Sequence, residues 1–308
     1  MDAQIAELLA KIKAADKPPL WKGSATEARQ RPMLMDVLFG PAPAVPMEDL
    51  SIESTRGHNL RMRMYVPPGA CKGLIVYLHG GGWVLGSVES FHPLTATLAQ
   101  RSGCAVLSVD YRLAPEHRFP LPLDDARVAL EWASQEGMKK AGTTGLPLIV
   151  MGDSAGANLA TTAARIHNQA GAMPPVQLQI LAYPVTDCDF DRPSYHAFAE
   201  GHLLTRRDMM WFWDQYLPDV PHRADPLASP LRCEDMSASP RALVLTAEFD
   251  PLRDEGELYC SRLQASGVAA EHVRCPGLVH GFLAMMNMAP SASNAFGIIL
   301  KTVEHATV

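Results

Sequence analysis

Gly152-Asp153-Ser154-Ala155-Gly156 sets a serine among small residues, directly after the apolar run Leu148–Met151 and before a helical pattern that includes Asn158-Leu159-Ala160. A serine on a tight strand-to-helix turn projects its hydroxyl above the sheet, near the positive end of the helix, where it can attack a carbonyl carbon. A plain glycine-rich loop with Ser154 as a helix cap is the competing account; the strand-turn-helix setting favours a nucleophile. The attacked carbonyl becomes an oxyanion, and His79-Gly80-Gly81-Gly82-Trp83, following the run Leu74–Leu78, is suited to receive it. Three consecutive glycines carry a large backbone entropy cost, and they let backbone N–H groups approach a reacting atom with no side chain in the way. Gly81 and Gly82 are assigned as donors, with the choice among Gly80 to Gly82 open, and Ala155 supplies the third N–H.

A serine of this kind needs a base and an acid, in the chain order nucleophile, acid, base. The chain has eleven histidines, so position must select among them. His272 falls in or beside an expected strand, Ala270–Cys275, and His305 lies on a terminal segment. His280, in Gly277-Leu278-Val279-His280-Gly281-Phe282, stands in a loop after that strand and can turn toward Ser154. Asp250 ends the strand-like run RALVLTAEFD, where its carboxylate can receive the second imidazole nitrogen, fix the tautomer and stabilise the imidazolium. Glu248 falls too early and Asp254 in the next helix; Asp254 or Glu255 is expected to orient the His280 loop or to cap that helix. Asp110 to Glu116 (DYRLAPE) carries an acid, a ring and a guanidinium but no nucleophile, and reads as structural, with Arg112 in an ion pair supporting the floor of the site.

The elements that must hold these residues follow from hydropathy. Ile5, Leu8, Leu9 and Ile12 recur at helical spacing. Lys17 to about Pro46 is proline-rich and expected to be mostly loop lying over another surface. Asn59–Val66 alternates polar and apolar residues and predicts a half-exposed strand. Short apolar runs at Leu74–Leu78, Ala105–Val109, Leu148–Met151, Leu178–Leu181 and Leu243–Leu245 then alternate with helical patterns. That alternation predicts an α/β fold with a mostly parallel sheet flanked by helices. A long insertion after Pro184 breaks it, and contains an aromatic helix over Leu204–Leu217 with Met209, Met210, Trp211, Trp213 and Tyr216, its start capped by Thr205 and Asp208. Those side chains serve either as core or as the roof of an apolar pocket, and a roof must also pack.

The 308 residues, 47% apolar, suffice for a large core. A formal charge of −6 with no dense Lys/Arg stripe offers nothing to a nucleic acid. The six cysteines are widely spread without C-x-x-C spacing and are expected as thiols. Interspersed charges in the first residues argue against a signal peptide, no run is long enough to cross a bilayer, and the expected location is the cytoplasm. No H-E-x-x-H or clustered His/Asp spacing marks a metal site.

Taken together, HGGGW at His79–Trp83, DYRLAPE at Asp110–Glu116, GDSAG at Gly152–Gly156, DPLRDE at Asp250–Glu255 and HGF at His280–Phe282 resemble the blocks of the bacterial hormone-sensitive-lipase-like carboxylesterases of the α/β-hydrolase superfamily, in that family's order. The resemblance implies the α/β-hydrolase fold with a helical cap, Ser154, Asp250 and His280 as catalytic residues, and Gly81, Gly82 and Ala155 as the oxyanion hole. It implies hydrolysis of short- to medium-chain esters without a cofactor, and a homodimer paired through the edge strand about Ala270–Cys275. The chain then divides into an N-terminal cap segment (1–50), a first catalytic part (51–184), a cap insertion (185–235) and a second catalytic part (236–308). An amidase, arylformamidase or lactonase could use the same residues; a binding protein that has lost chemistry is disfavoured by the intact set.

Overall fold

The computed structural model describes residues 1–31 and 38–308. One sheet of eight strands organises the chain, in the order β1-β2-β4-β3-β5-β6-β7-β8. The strands are β1 (Met47–Glu53), β2 (Asn59–Tyr65), β3 (Leu74–Leu78), β4 (Ala105–Asp110), β5 (Leu148–Asp153), β6 (Val176–Ala182), β7 (Arg241–Phe249) and β8 (Ala270–Val279). From β4 to β8 all neighbours run parallel, whereas β1 and β2 are attached antiparallel at one end. The expected parallel sheet is therefore present, extended by an antiparallel pair. β8 closes the other side as the outer strand.

Both faces of the sheet are covered, as the unbroken apolar runs require. Leu74, Val76 and Leu78 of β3 join one core with the helices Leu121–Trp132, Ala155–Gln169 and Arg253–Ala265. Ile75 and Tyr77 point to the other core, shared with the helices His92–Ser102 and Pro290–Ala306. The two-residue period of the strand thus distributes its side chains between two helix layers.

Three expectations need adjustment. The stretch 17–46 is not only loop: Leu20–Lys22 forms a 3₁₀ turn and Ala25–Gln30 a helix, held by a reciprocal cap between Ser24 and Glu27. Residues 32–37 of that stretch lie outside the described residues. β1 begins at Met47, so the division at residue 50 falls inside a strand. β8 runs on to Val279, longer than Ala270–Cys275. The aromatic helix spans Arg206–Tyr216, with Thr205 and Asp208 bonded to each other's backbone N–H, a carboxylate one carbon shorter than usual completing the capping box. Among the described residues no helix is long and apolar enough to cross a membrane.

Candidate active site

The site lies at the carboxyl ends of β3, β5, β7 and β8, where strand ends hand over to loops. β5 ends in the tight turn that carries Ser154, whose φ of 52° and ψ of −120° lie outside the regions favoured by L-residues. Such strain persists only when the surroundings over-determine it. Here the Ser154 N–H donates to the Ala182 carbonyl, and its own carbonyl accepts from Asn158 and Val185. Gly156 supplies the clearance: a Cβ there would overlap the carbonyls of Leu78 and His79, so the helix start could not approach β3.

β7 delivers Asp250, fully buried just after the strand, and β8 delivers His280 one residue past its end. His280 Nδ1 is 2.8 Å from Asp250 Oδ2, and its Nε2 is 3.0 Å from Ser154 Oγ. A carboxylate beside Nδ1 holds the proton there and leaves Nε2 as acceptor for the Ser154 hydroxyl. The edge of the Tyr183 ring braces the imidazole, with ring centroids 4.7 Å apart. Asp250 accepts a further bond from the Leu252 N–H. The three residues singled out from sequence therefore meet in one hydrogen-bonded line.

The glycine turn after β3 faces this line, and Gly81, Gly82, Ser154 and His280 border one cavity of about 580 Å³. The Gly80 N–H donates to Asp153 Oδ1 at 2.8 Å and is not free for a substrate. Among the described residues the N–H groups of Gly81, Gly82 and Ala155 have no acceptor, the last being at the start of a helix. Within Gly80 to Gly82 the structure thus leaves Gly81 and Gly82 as available donors.

His79, beside them, is buried with its ring stacked on Tyr111 and its Nδ1 against the Gly80 carbonyl. Burial lowers its pKa to about 4, so it stands neutral in the core. His272 reaches Thr246 from within β8, and His305 sits on the C-terminal helix.

The acidic residues after β7 do something other than expected. Asp254 accepts from the Ser194 N–H and Glu255 from the N–H groups of Thr186 and Asp187, so both anchor the insertion to the helix Arg253–Ala265. The residue that steadies the approach to His280 is Glu248, which accepts from the Gly277 N–H at 2.7 Å. Arg112 forms the expected ion pair, with Asp125 as its buried partner; Asp125 also takes the Arg112 N–H and the Ser54 hydroxyl. The neighbouring Tyr111 hydroxyl donates to the His79 carbonyl, linking this support to the glycine turn.

The roof is mainly apolar, with Lys11, Lys17 and Asp208 among its residues, and comes from two distant parts of the chain. Ile12, Leu20 and Leu38 line it from the N-terminal segment, and Leu203, Met209 and Phe212 from the insertion. Trp213 and Tyr216 are core instead, packed on Trp83 with centroids 5.0 and 4.2 Å away, and Met210 is exposed. Phe212 was not among the aromatics singled out, although its ring lies directly over the α-carbon of Gly82. Asp153, to which the motif assigns no role, also borders the cavity. Among the described residues no cluster of His, Cys, Asp or Glu could hold a metal ion.

Comparison with known proteins places this geometry. A family model described as the alpha/beta hydrolase fold matches residues 75–284. An ethyl acetate hydrolase of Pseudomonas putida is 36% identical over 292 residues, 93% of this chain and 92% of that protein. A carboxylic ester hydrolase of Mycobacterium tuberculosis is 39% identical over 270 residues, 86% and 71% of the two chains. Among solved structures, a hyperthermophilic esterase from the archaeon Pyrobaculum calidifontis superposes with a TM-score of 0.92 at 34% identity, over 100% of this chain and 99% of its own.

Proposed function

Because the chain belongs to the α/β-hydrolase fold family and is a carboxylic ester hydrolase, we propose that Ser154 is its nucleophile, His280 its base and Asp250 its acid, with Gly81, Gly82 and Ala155 as the oxyanion donors. The observation that carries this reading is the line from Asp250 Oδ2 through His280 to Ser154 Oγ, at 2.8 and 3.0 Å. Ser154 Oγ attacks the ester carbonyl carbon as its proton passes to His280 Nε2. The carbonyl oxygen takes up negative charge against the three N–H groups, which are oriented before reaction and need no reorganisation during it. Collapse of the tetrahedral intermediate breaks the bond to the alcohol oxygen, which receives the proton from His280. Water, deprotonated by the same imidazole, then attacks the acyl-serine, and the acid leaves as Ser154 recovers its proton. Asp250 stabilises the imidazolium in both halves.

Within this family the chain is assigned to the hormone-sensitive-lipase-like group, on the motif set HGGGW, GDSAG, DPLRDE and HGF. Esters with short to medium acyl chains fit best. The cavity is lined mostly by apolar side chains, Phe212 and Met209 from the insertion and Ile12 and Leu20 from the N-terminal segment, and its volume of about 580 Å³ suits a chain of limited length better than a triglyceride. Initial rates on p-nitrophenyl esters from acetyl to palmitoyl, with wild type and S154A side by side, test both points. The expected result is a maximum between acetyl and hexanoyl, lowered at least 10³-fold in S154A. Full activity in S154A would overturn the nucleophile, and turnover of p-nitroanilides without turnover of esters would overturn the substrate class.

A further inference from the structure

The residue preceding the nucleophile has no part in the mechanism above, yet it is a fully buried carboxylate bordering the same cavity as Ser154. Burial pushes the Asp153 pKa up to about 6, against the opposing effect of the Tyr77 hydroxyl and the Gly80 N–H. A buried carboxyl is expensive to keep unless its bonds are needed. An uncharged small residue would fit the tight turn more cheaply.

The bonds identify the need. Asp153 Oδ1 accepts from the Tyr77 hydroxyl at 2.6 Å and from the Gly80 N–H at 2.8 Å, while the Tyr183 hydroxyl lies 3.4 Å from Oδ2. Tyr77 belongs to β3, whose end carries the glycine turn, and Asp153 ends the adjacent parallel strand β5. One carboxylate oxygen therefore ties the nucleophile's strand to the first residue of the turn that supplies the oxyanion donors. Gly80 is packed so closely on this carboxylate that a Cβ there would overlap it. The next two peptide units carry the N–H groups of Gly81 and Gly82, so fixing the Gly80 peptide sets their direction.

We infer that Asp153 is a positioning residue for the oxyanion hole, acting through the hydrogen bonds that Oδ1 accepts from Gly80 and Tyr77. It does not touch the substrate carbonyl; it holds the turn whose donors do. Because both bonds fall on one oxygen, an asparagine with its carbonyl in the Oδ1 position retains them, whereas alanine removes both. A misdirected donor weakens the transition state far more than the ground state, so the loss must appear in kcat.

This inference rests on the ester-hydrolase reading of the site. The test measures kcat, KM and the rate of inactivation by a p-nitrophenyl phosphonate for wild type, S154A, D153A, D153N and Y77F, with folding monitored by circular dichroism. Expected is a fall in kcat of about 100-fold in D153A, with KM within about threefold and phosphonate inactivation slowed in parallel. D153N should fall by less than tenfold, and Y77F should lower kcat threefold to tenfold at unchanged KM. Wild-type kcat in D153A, or equal losses in D153A and D153N, would overturn the inference, the latter by assigning the effect to charge. If D153A does not fold, the contrast moves to Y77F, and an unchanged kcat there overturns it. A wild type inactive on every ester would instead remove the reading of the site, which S154A in the same assay keeps separate.

Discussion

The floor of the site and its roof are built by different physics. On the floor, the glycine turn, Ser154 and Asp250 follow β3, β5 and β7 of one sheet, with β6 between the last two, and backbone pairing across the sheet fixes their spacing. Polar groups there are buried and bonded, as with Asp153 to Gly80 and Asp250 to His280. The roof is assembled from the N-terminal segment and the insertion, which line the cavity with apolar side chains such as Leu20, Leu38, Leu203 and Phe212. On the proposed mechanism the floor tolerates little displacement, because it must aim N–H groups at one atom. The roof has only to exclude water and limit size, and many apolar side chains can do that. Chemistry should therefore fail abruptly when the floor is altered, and selectivity should drift when the roof is altered.

The largest effect is expected where the two meet. Gly82 has φ +61°, and a Cβ there would overlap the Phe212 ring. In G82A the turn must twist to relieve both, carrying its N–H away from the oxyanion. The expected loss in kcat is at least 100-fold, the scale of one oxyanion donor. G142A provides the control: its φ is +66°, but nothing lies within 4 Å of the added carbon. It should cost about 1 kcal/mol of stability from backbone strain and leave the rate alone. Equal kinetic loss in both variants would show that the sensitivity is not special to the floor.

Next comes F212A, which removes roof and leaves floor. The ring already borders open space, so the stability cost should fall below the ~3–5 kcal/mol of a closed core site. Relative kcat/KM should move about tenfold from acetyl toward octanoyl esters. The double variant G82A/F212A sharpens the comparison, because removing the ring relieves the clash but not the positive φ. It should recover part of the G82A loss, a coupling expected only of residues in contact. An unchanged chain-length profile in F212A would mean that some other surface limits the pocket.

The same division decides what could be read from the residues alone. Ser154, Gly81 and Gly82 are legible because a tight turn and a close backbone approach demand small residues within a few positions of one another. Asp250 and His280 are legible by chain order and by their place after apolar strands. Asp153 sits inside a recognised motif, but its partners Tyr77 and Gly80 are over seventy residues away, and no local pattern reports that pairing. Glu248 was set aside as too early for the acid, and its bond to Gly277 depends on the register of β7 against β8. β1 escaped notice because MEDLSIE is mostly exposed and polar, as an edge strand can be. In the aromatic helix, periodicity marks an amphipathic face. It does not separate Trp213 and Tyr216, which bury against Trp83, from Phe212, one residue before Trp213 and one turn before Tyr216, which covers Gly82.

The smallest predicted effect concerns how the roof is fastened to the floor. Arg29, on the short helix Ala25–Gln30, donates to the Val84 carbonyl at 2.8 Å and the Ala114 carbonyl at 2.6 Å, and pairs with Glu116 through both terminal nitrogens. Val84 lies two residues beyond Gly82, so one guanidinium joins the N-terminal segment to the stretch that follows the oxyanion turn. The pair with Glu116 is half exposed and adds little by itself. The two carbonyl bonds are charge-assisted and better shielded. R29A should therefore cost about 1–2 kcal/mol and lower the melting temperature by a few degrees. With the segment loosened, the wall formed by Ile12 and Leu20 should yield first, raising KM for hexanoyl esters severalfold while kcat for acetyl esters holds. R29K should not restore the wild-type KM, because an ammonium cannot span two carbonyls and a carboxylate in one plane. A drop in kcat for all esters alike would mean that Arg29 belongs to the floor, and that the boundary between the two regions runs through the N-terminal segment rather than beneath it.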